Sequence, residues 1–167
     1  MKKASKFFVI TVLGLAFSAA TFAQVAVATT ATATIVTPIA ISKTSNLAFG
    51  SIAVGTISGG TAIVGFNGTR SFTGTCSGPA GGVTSAAFTV TGTNGASFTI
   101  TLPASVTLSN GAVTMTLDTW DNELGVGPSY TLTGGSVPFR LGGTLHVAAA
   151  QATGAYTASF DVEVGYN

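Results

Sequence analysis

Charge is the scarcest property of this sequence, and its scarcity closes most function classes. Of 167 residues, 7% are Asp, Glu, Lys or Arg. Lys2, Lys3 and Lys6 precede an apolar run. Beyond them stand Lys43, Arg70 and Arg140 against Asp118, Asp121, Glu123, Asp161 and Glu163, a net charge of −2. Three scattered cations cannot track a phosphate backbone, so nucleic acid is not expected as a partner. Cys76 is the only cysteine, so no intrachain disulfide can form. It reads as a small buried apolar residue or as one half of a bridge to another chain. His146 is the only histidine. Its neighbours Leu145 and Val147 share one strand face, which turns His146 to solvent. No nucleophile motif accompanies it, and no Gly-rich phosphate loop opens a helix. The reading is therefore not an enzyme, with no catalytic residues and no cofactor.

What the sequence does hold begins at its start. The lysines, the apolar run Phe7 to Ala20 and the small-residue end Thr21-Phe22-Ala23 predict a secretory signal peptide over residues 1–23, with Gln24 first in the exported chain. The run is too short to span a bilayer comfortably, so no membrane span is expected after cleavage. Residues 24–33 are uncharged, with Val25, Val27, Ala31 and Ala33 on one parity. This predicts an extended N-terminal arm, followed by a first strand near residues 33–41 that Pro38 confines to an edge or breaks.

From there β-prone runs alternate with Gly, Asn, Pro and Ser. They cover residues 47–54, 61–66, 70–76, 86–92, 97–102, 111–118, 129–133, 139–148 and 155–166. Asn67-Gly68, Asn94-Gly95 and Asn110-Gly111 are hairpin-type turn signals. Residues 88–92 and 97–102 are expected to form a hairpin around the second. Short strands with frequent turn signals predict an all-β, immunoglobulin-like sandwich over residues 34–167. At its end Phe160, Val162, Val164 and Tyr166 alternate with Asp161, Glu163, Gly165 and Asn167. A slip of one residue would bury both carboxylates, so the register is firmly specified.

One polar cluster remains, Asp118-Thr-Trp-Asp-Asn-Glu123, read as a loop. Asp118, Asp121 and Glu123 form a candidate Ca²⁺ set of hard oxygens, without the spacing of an EF-hand. Trp120 reads as a core residue or as a sugar-stacking one. Asn67-Gly-Thr69 matches a glycosylation sequon.

Several stretches together resemble a family of exported bacterial proteins, domain of unknown function 4402. They are Pro38-Ile-Ala-Ile-Ser, Leu47-Ala-Phe-Gly50, Phe88-Thr-Val-Thr-Gly92, Thr99-Ile-Thr-Leu-Pro103, Phe139-Arg-Leu-Gly-Gly-Thr-Leu145, and Gln151-Ala-Thr-Gly-Ala-Tyr156 through to Tyr166-Asn167. The arrangement is similar to chaperone–usher pilins in its alternating last strand, its penultimate aromatic Tyr166, and Gly154, fourteenth from the end when Asn167 counts as first. That resemblance implies a pilin-like sandwich lacking one strand. A periplasmic chaperone supplies the strand first, and the arm of another subunit supplies it at an outer-membrane usher. It implies passage through the periplasm to the cell surface. The expected function is a structural subunit of a fimbria-like fibre built by strand donation. Val25, Val27, Ala31, Ala33, Gly154, Phe160, Val162, Val164 and Tyr166 are its assembly residues. The alternative is a self-complete secreted module that binds carbohydrate or matrix.

Overall fold

Alternation of apolar and polar residues is what selects strands here, and the computed structural model, which describes residues 24–167, is all-β. The expected signal peptide lies outside the described residues. Contacts separate a first unit ending at Thr34 from a second, Ile35–Asn167. Residues 24–34 of the first unit carry no regular secondary structure, and Val25 and Val27 are exposed.

The second unit runs β1 (Ala40–Ser45), β2 (Ala48–Phe49), β3 (Gly60–Val64), β4 (Arg70–Gly74), β5 (Val83–Thr84) and β6 (Ala86–Thr91). It continues with β7 (Ser97–Thr101), β8 (Val106–Ser109), β9 (Thr114–Asn122), β10 (Tyr130–Thr131), a 3₁₀ turn at Thr133–Gly135, β11 (Ser136–Val147) and β12 (Glu163–Tyr166). Every strand pair is antiparallel. A seven-stranded sheet follows the order β1-β6-β11-β3-β4, with β9 on β11 and β8 on β9. A three-stranded sheet, β10-β7-β12, and the short pair β2-β5 complete it. The result is sandwich-like and compatible with an immunoglobulin-like fold.

Strand β11 organises the large sheet. Leu141 pairs with both Ala86 and Asn122, and Thr144 with both Ile63 and Asp118. A strand has two edges, so β9 follows one of them while β6 and then β3 share the other. The exchange from β6 to β3 falls at Gly142-Gly143. A Cβ on Gly142 would lie 2.0 Å from the Val64 carbonyl oxygen, so the partner backbone enters the space a side chain would need. Along β11, Phe139, Leu141, Leu145 and Val147 are buried, and Arg140 and His146 are exposed.

Two apolar clusters fill the interior. One gathers Phe49, Ala62, Val64, Cys76, Val106, Leu117, Leu145 and Val147. The other gathers Ala86, Phe88, Val90, Phe98, Leu132, Phe139 and Leu141, between β6-β11 and the small sheet. Leu47, Trp120 and Phe160 pack against both. Cys76 is a buried free thiol whose pKa burial pushes up, the passive reading of the two. Arg70 ties the loops beside the first cluster together, donating to the carbonyls of Phe49, Ser51 and Pro79 while stacking over Phe72.

Four expectations are corrected. The first strand begins at Ala40, not near residue 33, because Pro38 has no N–H and the backbone of Thr37 is engaged by side chains. Residues 88–92 and 97–102 do not form a hairpin. Strand β6 is already flanked by β1 and β11, and β7 by β10 and β12, so Asn94-Gly95 carries the chain from one sheet to the other. Residues 118–122 are strand, not loop. Asp118 opposes Thr144 and Asp121 opposes Gly142, which leaves one extra residue on β9, a β-bulge with Thr119 at φ +48°. Finally, the last strand is shorter than residues 155–166. Thr157 makes a lone bridge to Ser109, and regular pairing resumes at Glu163.

Candidate assembly groove

A groove of about 450 Å³ opens between the far end of β1 and the segment Tyr156–Phe160. Its floor comes from Phe49, Ala86, Phe88, Val106 and Leu117, buried side chains drawn from both clusters. Lys43 and Asn46 stand at its rim. A groove floored by core residues is a gap in the sandwich rather than a surface dimple. Its position follows from the pairing. Tyr156–Phe160 holds β8 by the single bridge at Thr157, so no continuous strand closes that side. Among the described residues, β1 and β12 each have a strand partner on one edge only. Unpaired edges beside exposed apolar surface are what an added strand recognises.

The alternation read at the end of the chain holds. Phe160, Val162, Val164 and Tyr166 all pack against the second cluster, and Asp161, Glu163 and Asn167 are exposed. A second hollow of about 450 Å³ lies along residues 101–107 and 159–163, with Asp161 and Glu163 on its lining. Gly154 is not on the last strand. It precedes the bridge at Thr157, at φ +146° against Asn110, a backbone geometry that favours glycine. Ala31 and Ala33 are exposed, as are Val25 and Val27.

Sequence reasoning missed one connection. The Tyr166 hydroxyl donates to the Thr37 carbonyl at 2.6 Å and accepts from the Thr93 N–H at 2.7 Å. Thr93 Oγ1 in turn accepts from the Thr37 N–H at 2.9 Å. The end of the chain thus grips the point where the domain begins. The penultimate aromatic was the visible signal, but no local pattern identifies a partner for its hydroxyl.

The polar candidates separate. Asp118 Oδ1 meets His146 Nε2 at 2.8 Å on the outer face of the large sheet. Asp121 Oδ2 instead accepts the Phe66 N–H at 2.9 Å, and Glu123 is exposed. Among the described residues no three His, Cys, Asp or Glu side chains are placed to hold a metal ion. Trp120 faces inward, donating from Nε1 to the Pro103 carbonyl at 2.6 Å and packing 4.8 Å from the Phe160 ring. Asn67 Oδ1 accepts from the amide and hydroxyl of Thr69 in the β3–β4 turn.

The hydrogen bond from His146, and then that from Thr119, holds the Asp118 carboxyl below the usual carboxylate range. A depressed folded-state pKa contributes stability above the unfolded value of about 3.9, and that contribution is lost as pH falls through the folded one. In His146→Ala, the Asp118 carboxyl titration followed by NMR should therefore move up toward the usual carboxylate range, with the Thr119 hydrogen bond still holding part of the depression. An unmoved midpoint would show that His146 is not the cause.

No helix among the described residues is long and apolar enough to cross a membrane. No curated protein and no solved structure shows significant similarity to the chain. A match to the family described as Domain of unknown function (DUF4402) covers residues 39–166, from just before β1 to the end of β12, and the chain belongs to that family.

Proposed function

We propose that the chain is a structural subunit of a bacterial surface fibre, assembled when the arm of one copy adds as a strand to the groove of the next. The observation that carries this reading is the groove itself. It is floored by core residues of both clusters and lies between the first strand and the terminal segment. An uncharged arm with an exposed apolar parity supplies the complementary strand. Main-chain bonds to an unpaired edge give affinity, and alternate side chains entering the groove give register. The small Ala and Val side chains of the arm suit a groove whose floor already carries Phe and Leu.

On this reading the groove is capped before assembly by a periplasmic chaperone, and an outer-membrane usher exchanges the cap for an arm. The route is export, transit through the periplasm, and residence at the cell surface. The alternative was a carbohydrate-binding module working through Trp120. It is less well supported, because the Trp120 N–H is already bonded to Pro103 and its ring packs on Phe160.

Two substitutions of equal charge test the proposal. Val27→Asp places an unpaired ion on the parity that enters the groove, at a cost of several kcal/mol. Ala28→Asp places it on the solvated parity. Native sizing of exported protein should show polymer lost in the first and retained in the second. Normal assembly of both would leave the arm as a tether and remove the mechanism.

A further inference from the structure

The groove of one copy has two donors in principle, its own arm and that of another copy, and the root of the arm discriminates between them. We propose that the contact of Tyr166 and Thr93 with Thr37 is a latch that bars the arm from its own groove and so commits it to a second copy. This rests on the strand-donation reading above and adds the choice of partner.

The geometry of the root carries the inference. The chain enters β1 through Thr37-Pro38-Ile39, and the groove is bounded by Lys43 near the far end of β1 and by Leu47 just beyond it. An arm filling its own groove must therefore reverse direction just before Ala40 and run back beside β1. A tight reversal is strengthened when backbone N–H and C=O groups bond across the turn. Here they are committed or missing. The Thr37 N–H is held by Thr93 Oγ1, and its carbonyl takes the Tyr166 hydroxyl at 2.6 Å and Thr93 Oγ1 at 3.3 Å. Pro38 has no N–H, and its ring fixes φ. Beyond the root, Ile35 and Val36 are exposed.

The latch is built in rather than incidental. A Cβ on Gly92 would lie 2.3 Å from the Tyr166 hydroxyl, so the corner after β6 leaves room for that oxygen only because residue 92 is glycine. The Thr93 N–H that bonds the hydroxyl belongs to the same corner. Strand β12 supplies the tyrosine, and its pairing of Tyr166 with Phe98 fixes the height of the ring. A second copy meets no such constraint, because its arm arrives from outside and needs no turn.

The experiment uses the full exported chain carrying Cys76→Ser and Ala28→Cys with a spin label on residue 28, which lies on the parity that stays in solvent. Relaxation of the amides of Val106 and Leu117 reports whether the arm is in a groove. Dilution of labelled, isotope-enriched chain into a large excess of unlabelled, unenriched chain separates contact within a copy from contact between copies. We expect groove contact that disappears on dilution. In Tyr166→Phe a contact that survives dilution should appear, and Thr93 amide exchange should quicken about tenfold as its acceptor is lost. Thr93→Val, which removes the bonds to Thr37 and keeps Tyr166, should act in the same direction and covers misfolding of the first variant. Contact that survives dilution in the unsubstituted root, or its absence from both variants, overturns the latch. No groove contact of either kind overturns strand donation itself, and the latch with it.

Discussion

Gly142→Ala should abolish the folded domain under conditions where the parent is stable. The added Cβ would sit 2.0 Å from the Val64 carbonyl oxygen, 2.7 Å from the carbonyl carbon of Gly65 and 2.9 Å from the Phe66 nitrogen. All three are backbone atoms of β3 and the turn after it, and none can rotate away. Relief requires parting β3 from β11 where Gly143 pairs with Val64. That pairing holds Val64 and Ala62 over the first cluster, so parting it exposes fully buried side chains. We expect a loss above about 4 kcal/mol, which is a large share of the stability of an ordinary domain. Gly143→Ala is the control. Its nearest neighbour is the Leu117 Cδ1 at 2.8 Å, the end of a side chain, so the cost should be about 1–3 kcal/mol of overpacking. Urea unfolding of the two variants decides between them. Equal midpoints would mean that β3 yields at Val64 more easily than its pairing implies.

Trp120→Ala should lower stability by about 2–4 kcal/mol, below the full range for a core aromatic because the indole is half-buried. The indole packs against both clusters and against Phe160, so its loss opens a cavity where the two halves of the interior meet. It also leaves the Pro103 carbonyl without its donor. Trp120→Phe separates these terms. It keeps aromatic packing on Phe160 and loses the hydrogen bond, at about 1–3 kcal/mol. The carbohydrate-binding reading makes the opposite forecast, a stable variant with lost glycan affinity. Thermal unfolding and a glycan-binding assay on the same preparation distinguish them, and unchanged stability in Trp120→Ala would restore the module reading.

Trp120 also shows how far the sequence could be read. Local alternation identified Ala86–Thr91, Ser97–Thr101 and the apolar face of Phe160 to Tyr166, because each is decided by its own residues. Asp118-Thr-Trp-Asp reads as a loop because its polar residues do not alternate, and they do not alternate because a bulge shifts the side-chain phase by one residue, turning Trp120 inward. A bulge depends on the partner strand, where Gly142-Gly143 gives it room, and no window around Trp120 contains that information. The hairpin expected at Asn94-Gly95 failed for a related reason. The dipeptide permits a turn, but whether the flanking strands pair depends on which edges distant strands have taken. The candidate groove was legible only as an inference from an uncharged arm and a patterned terminal strand. Its floor joins Phe49 to Leu117, and the contact before the start of β1 joins Thr37 to Tyr166, pairings that only the folded topology brings about.

The position of β11 in the chain governs the order in which the domain can be completed. Strands β1 and β6, β3 and β4, and β8 and β9 form three separate pairs, and β11 is the one strand that touches a member of each. All three pairs precede it in sequence. A chain delivered from its N-terminus therefore accumulates three partly formed ribbons whose inner edges wait for residues 136–147. Isolated two-stranded ribbons are marginal in water, and waiting edges are where association errors begin. Non-local closure of this kind is also slow. The interval between the emergence of β3 and that of β11 is the time in which the chain most needs shelter by a folding helper.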